Sequence, residues 1–106
     1  LLPIVVSHGE GRVDADEDRL ARLRKAGLTA MAFTDQLRAP TTRYPMNPNG
    51  SPGGLTAVTS DDGRALAMMP HPERAFRSIQ WSWRPDSLGE YSPWFALFLS
   101  AAQQFN

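Results

Sequence analysis

The sequence predicts a mixed α/β fold with at least one antiparallel strand pair. Three observations carry this. Leu55–Ser60 and Arg64–Met69 are strand-like runs on either side of Asp61-Asp62-Gly63, a strong hairpin signal. Residues 15–26 carry helix start and stop signals at their two ends. A second helical pattern follows Pro93, and strands and helices mix without strict alternation, which favours α/β or α+β over a repeated βαβ unit.

The elements follow in chain order. Leu1-Leu2-Pro3-Ile4-Val5-Val6-Ser7-His8 opens directly in an apolar run and reads, over residues 2–8, as a buried strand already under way. With no initiator Met ahead of it, the chain is expected to be a piece of a longer one. The helix expected over Ala15–Ala26 has Asp14 as its cap and Glu17 three positions on to complete a capping box. Asp16, Glu17 and Asp18 lie in its first turn, and Arg22, Arg24 and Lys25 in its last, as the helix dipole favours. Gly27 is placed to end it. Leu20, Leu23 and Ala26 form a narrow apolar stripe, which predicts a surface helix leaning on a sheet.

Leu28–Thr34 reads as a second strand and Thr41–Tyr44 as a short third one. Residues 45–54 hold three prolines and three glycines and exclude a regular element. A type I′ turn at Asp62-Gly63 is expected, with positive φ at both central residues. Pro72–Arg77 reads as a short helix. A final helix from Ser92 or Pro93 through Gln103 places Trp94, Leu97, Phe98 and Ala101 on one face.

Length and composition bound the function. One hundred and six residues make one small domain. Eleven basic residues balance eleven acidic ones, which argues against a nucleic-acid binder working through a basic field. The longest apolar stretches, Leu1–Val6 and Ala65–Met69, are far short of the ~20 residues of a membrane-spanning helix. There is no cysteine, so no thiolate metal site or cysteine nucleophile lies within these residues.

Met69-Pro70-His71-Pro72-Glu73 is the most informative segment for chemistry. Pro72 pushes His71 towards an extended conformation, in which residues two apart point to the same side. His71 and Glu73 are then within reach of each other, as a general base and its orienting carboxylate require. The competing reading has His71 as a helix cap and Glu73 as a first-turn acid. His8-Gly9-Glu10 repeats the His-x-Glu pattern, and two such pairs invite a metal reading, although nothing in the spacing brings them together. Asn47-Pro48-Asn49-Gly50-Ser51 can either offer amides and a hydroxyl to a polar ligand or form an ordered Asx-turn loop. Trp81, Trp83, Tyr91 and Trp94 suit a sugar or nucleobase platform, or the pinning of an irregular tail onto the body.

Four segments in order, His8-Gly-Glu-Gly-Arg12, Tyr44-Pro-Met-Asn-Pro-Asn-Gly-Ser-Pro52, Met68-Met-Pro-His-Pro-Glu-Arg74 and Phe76-Arg-Ser-Ile-Gln-Trp-Ser-Trp83, resemble the phosphoribosylformylglycinamidine synthase family. The resemblance covers nearly the whole chain and is to the last part of the glutamine amidotransferase domain. Trp-Ser-Trp, Gly89-Glu90 and Pro93-Trp94 look more like the large fused form than the separate glutaminase subunits. Trp81 departs from that pattern, where Asn is expected.

The resemblance implies that residues 1–106 are the C-terminal portion of a flavodoxin-like class I amidotransferase domain with antiparallel additions. It also implies a Cys-His-Glu triad. His71 and Glu73 match its last two members, and the Cys belongs to an upstream nucleophile elbow. His8, Asn47, Asn49 and Ser51 become candidates for substrate-binding or site-adjacent positions, and no metal is expected here. Glutamine and the upstream remainder of the chain are the implied partners, with neither nucleic acid nor membrane among them. The ATP and Mg²⁺ of the family belong to a synthetase domain outside these residues, and the place of action is expected to be the cytoplasm. The alternative is a non-catalytic interaction module complete at 106 residues.

Overall fold

The hairpin organises the larger of two units. In the computed structural model, which describes residues 1–105, one unit spans His8–Met69 and the other joins Leu1–Ser7 to the chain from Pro70 onward. Within His8–Met69, strands β1 (Thr29–Ala32), β2 (Leu55–Thr59) and β3 (Leu66–Met68) form an antiparallel sheet in the order β1-β2-β3. The β2–β3 register is regular, pairing Ala57 with Met68 and Thr59 with Leu66. The β1–β2 register shifts twice, between Thr29 and Met31 and again before Ala32. Such irregularities re-aim a strand's side chains and raise its local twist.

The turn between β2 and β3 differs from a type I′ turn. Ser60 O accepts from Gly63 N–H at 3.1 Å, and of the turn residues only Gly63 has positive φ. Asp62 keeps an ordinary backbone because its side chain is already engaged. Its Oδ1 accepts from the Ser60 hydroxyl at 2.6 Å and from Arg64 N–H at 3.0 Å. The Ser60 hydroxyl bond, with the Arg64 amide second, holds the Asp62 carboxyl below its usual range.

Helix α1 (Glu17–Lys25) starts later than the sequence pattern suggests. Its cap is Asp16, whose carboxylate accepts from Arg19 N–H at 2.8 Å; Asp14 lies two residues too early. The run Asp-Ala-Asp-Glu-Asp offers two caps two residues apart, and the acid expected for a capping box is replaced at that position by Arg19. The far end is a Schellman motif. Leu28 N–H reaches Leu23 O at 3.0 Å, Gly27 N–H reaches Arg24 O at 3.0 Å, and Gly27 sits at φ +70°. The buried residue of α1 is Leu20. Its Cδ1 lies 3.7 Å from where a Cβ on Gly53 would stand, so the helix rests on the loop ahead of β2. Leu20, Phe33, Leu55 and Ala57 form the buried apolar set of this unit.

Thr41–Tyr44 forms no strand. Phe33 O takes Thr41 N–H at 2.9 Å, and the chain then turns, with Asn47 N–H donating to Arg43 O at 2.9 Å. Pro40 and Pro45 bound the segment, and the turn over residues 44–46 ends it before a ladder can form.

In the other unit the expected first strand is reduced to a single bridge between Val5 and His71. Leu1 is 71% exposed and Leu2 42%, so the run is not buried, and Pro3 has no N–H to extend the ladder. A 3₁₀ turn covers Pro72–Arg74, shorter than the helix expected there, and a second covers Ser78–Gln80. Helix α2 (Phe95–Gln103) follows. Tyr91 stacks on Phe95 with centroids 4.3 Å apart, and Phe76 lies 6.3 Å from Tyr91. Trp81 Nε1–H donates to Ala75 O at 2.9 Å, whereas Trp83 is exposed. Tyr91 and Trp81 thus pack within the unit rather than forming an open platform. Among the described residues, no helix is long and apolar enough to cross a membrane.

Candidate functional site

The Pro-His-Pro-Glu segment holds its histidine by backbone before any side chain is considered. Pro70 and Pro72 are buried on either side of it. His71 N–H donates to Val5 O at 2.8 Å, and His71 O accepts from Arg74 N–H at 3.1 Å. Both backbone groups of His71 are therefore fixed, one by the Leu1–Ser7 segment and one by the turn that follows. Pro72 occupies the first position of that turn, where its missing N–H leaves no gap.

His71 Nδ1 lies 2.6 Å from Glu73 Oε1. Two residues apart on an extended chain is not how they meet. His71 has φ −110° and ψ 84°, and the 3₁₀ turn begun by Pro72 swings Glu73 back towards the ring. His71 stands at the cap position of the turn, but its side chain makes no capping bond. Its imidazole is spent on Glu73 instead, and a three-residue turn has little dipole to match.

An ionised carboxylate only accepts, so the short contact places the proton on Nδ1 and leaves the Nε2 lone pair free. The hydrogen bond from His71 is the main cause that holds the Glu73 carboxyl below its usual range. The pair is accessible: the His71 side chain is 31% exposed and that of Glu73 54%. Chemically this is a base of fixed tautomer with a carboxylate behind it, able to take a proton at Nε2 and stabilise the resulting imidazolium.

The other candidates cluster in the His8–Met69 unit, around the Asn-Pro-Asn-Gly-Ser loop. Asn47 is buried. Its Nδ2 donates to Thr41 O at 2.9 Å and Ser51 O at 3.0 Å, while its Oδ1 accepts from Ser51 N–H. Ser51, also buried, accepts Val13 N–H on its Oγ at 3.1 Å. Asn49 spans to the His-Gly-Glu-Gly segment: its Nδ2 donates to Gly11 O at 2.8 Å and to His8 Nε2 at 2.9 Å. Its Oδ1 takes Ser51 N–H at 3.0 Å. With an amide donor on Nε2, the His8 proton sits on Nδ1, which is buried and has no hydrogen-bond partner among the described residues. A Cβ on Gly11 would stand 2.9 Å from the His8 ring, which accounts for the glycine.

The side chains of His8, Asn47, Asn49 and Ser51 are thus brought together by bonds to one another and to nearby backbone. Both amide groups are fully engaged inside the protein. The bonds to Val13, Gly11 and Thr41 link positions up to 38 residues apart and have no signature in local spacing. A separate pocket of about 220 Å³, lined by Leu20, Arg24, Met31, Pro40, Gly53 and Leu55, contains none of these candidates. Among the described residues, no three or more His, Asp or Glu gather as a metal would need.

Set beside this geometry, comparison with known domain families gives a match over residues 1–105. The chain belongs to the CobB/CobQ-like glutamine amidotransferase domain family.

Proposed function

We propose that this chain supplies the acid–base half of a glutaminase site, with His71 as the base and Glu73 as its partner. The observation that carries it is the 2.6 Å contact between His71 Nδ1 and Glu73 Oε1, on a backbone held on both sides. A thiol nucleophile then comes from outside these residues, none of which is cysteine. His71 Nε2 accepts the thiol proton as sulfur bonds to the side-chain amide carbon of glutamine. The proton passes to the leaving nitrogen as the C–N bond breaks, releasing ammonia and leaving a thioester. Nε2 next takes a proton from water, whose oxygen displaces the sulfur to give glutamate and restore the thiol.

The finer reading is that the parent enzyme is phosphoribosylformylglycinamidine synthase in its large fused form. That ligase would direct the ammonia, with ATP and Mg²⁺ bound in its synthetase part, into formylglycinamidine ribonucleotide during cytoplasmic purine biosynthesis. The Trp-Ser-Trp stretch, Gly89-Glu90 and Pro93-Trp94 support the large fused form over the separate glutaminase subunits. On this reading the chain taken alone is inert.

His71→Ala in the full-length protein tests the assignment. Glutamine-dependent product formation is expected to fall by about 10³-fold or more, while turnover with added ammonia survives. Persistence of glutamine-dependent turnover would exclude His71 as the base. Formation of formylglycinamidine ribonucleotide from its precursor, ATP and ammonia tests the parent enzyme separately.

A further inference from the structure

We propose that Trp94 is a positioning residue for His71, acting through the Leu1–Ser7 segment; the inference rests on the glutaminase reading above. Trp94 is buried at the N-terminal end of α2, and its indole Nε1–H donates to Pro3 O at 2.7 Å. Two residues further along the same segment, Val5 O accepts the His71 N–H at 2.8 Å. The segment that anchors the histidine backbone is therefore itself anchored by the indole. Pro3 is exposed, and its carbonyl is held by the indole.

The link closes on itself from the other side. Ser92 is buried, and its Oγ donates to Ala75 O at 2.6 Å while accepting from Trp94 N–H at 3.2 Å. Ala75 N–H in turn bonds Pro72 O at 3.0 Å, at the turn that carries Glu73. From His71 the bonds run through Val5, Pro3, Trp94, Ser92 and Ala75 and return to Pro72, next to His71. A hydrogen-bonded circuit of this kind sets the base and its carboxylate in one frame. Opening it at the indole frees the N-terminal segment to slide, and His71 N–H slides with it. Small displacements of a base are read in the chemical step rather than in substrate affinity.

Trp94→Phe keeps most of the buried ring and removes the donor. In the full-length protein it is expected to lower kcat for glutamine-dependent turnover by about tenfold. KM for glutamine should stay within about twofold, and ammonia-dependent turnover should be unchanged. Ser92→Ala, which opens the circuit at its other end, is expected to reproduce that split. Unchanged glutamine-dependent kcat in Trp94→Phe would overturn the proposal. So would a rise in KM with kcat intact, or an equal loss of glutamine- and ammonia-dependent rates in both variants. If His71→Ala is inactive with glutamine while Trp94→Phe is fully active, only the positioning role fails. If His71→Ala retains glutamine-dependent turnover, the reading of the site itself fails.

Discussion

Glu73 Oε1 meets His71 Nδ1 at 2.6 Å because Pro72 turns the chain between them. The carboxylate does two things at once: it selects the tautomer that leaves Nε2 free, and it stabilises the charge that Nε2 gains. Glu73→Gln keeps the length of the side chain and an acceptor oxygen but removes the negative charge, and its amide can turn a donor towards Nδ1 and so favour the wrong tautomer. Glutamine-dependent kcat in the full-length protein is expected to fall by about 10²–10⁴-fold, with ammonia-dependent turnover intact. Steady-state kinetics with each nitrogen source measure this. A fall of less than about threefold would remove Glu73 from the mechanism.

The same contact predicts a titration. The Glu73 carboxyl is held below its ordinary value of 4.5, chiefly by the His71 hydrogen bond. A carboxyl lowered in the folded state favours that state above its ordinary pKa, and loses the contribution as pH falls through its folded value. The pair is therefore intact near neutrality and opens only in acid. Carbon-13 NMR, with Glu73→Gln for assignment, should place the midpoint below 4.5, and His71→Ala should bring it back up. An unmoved midpoint in His71→Ala would show that the ring is not the cause.

Legibility in the sequence followed distance along the chain. The His71–Glu73 pair was readable because two prolines and two residues of spacing are local facts, although the turn that joins them was expected to be extended backbone. The hairpin was readable for the same reason; its turn type was not, because Asp62 binds Ser60 and Arg64 rather than taking positive φ. Helix α1 was legible except for its first residues, where two aspartates compete for one cap. The polar loop resisted most. Asn47 and Ser51 can serve a ligand or a loop, and the decision lies with Thr41, Val13 and Gly11, which only the folded chain brings near. The role argued for Trp94 depends on Pro3, 91 positions away.

Asn47 gives that loop a measurable strength. Its amide makes three bonds in a site that is 1% exposed. Asn47→Ala leaves Thr41 O without its amide donor, Ser51 O with only Gly54 N–H and Ser51 N–H with only Asn49. The expected loss of stability is about 2–4 kcal/mol, read by denaturant unfolding of the full-length protein. Asn47→Asp is expected to be no better, since it sets a carboxylate against two carbonyl oxygens. A loss under about 1 kcal/mol for Asn47→Ala would mean that water replaces the amide, and that the side chain is less deeply committed to the loop than its bonds indicate.

Two glycines with nearly the same φ separate conformational strain from crowding. Gly27 and Gly54 have φ of +70° and +71°. A Cβ at Gly27 meets nothing within 4 Å, so Gly27→Ala carries only the left-handed penalty, about 1–2 kcal/mol. A Cβ at Gly54 would stand 2.7 Å from Phe33 O and 3.0 Å from Thr41 O. Both are backbone atoms, Phe33 O accepting from Thr41 N–H and Thr41 O from Asn47 Nδ2, and neither can swing aside as a flexible side chain can. Gly54→Ala is therefore expected to cost at least about 2 kcal/mol more than Gly27→Ala. Paired denaturant unfolding of the two variants measures the difference directly, and the shared φ cancels in the comparison. Equal losses would mean that the loop yields to the new methyl group and that the close approach at Gly54 does not hold it in place.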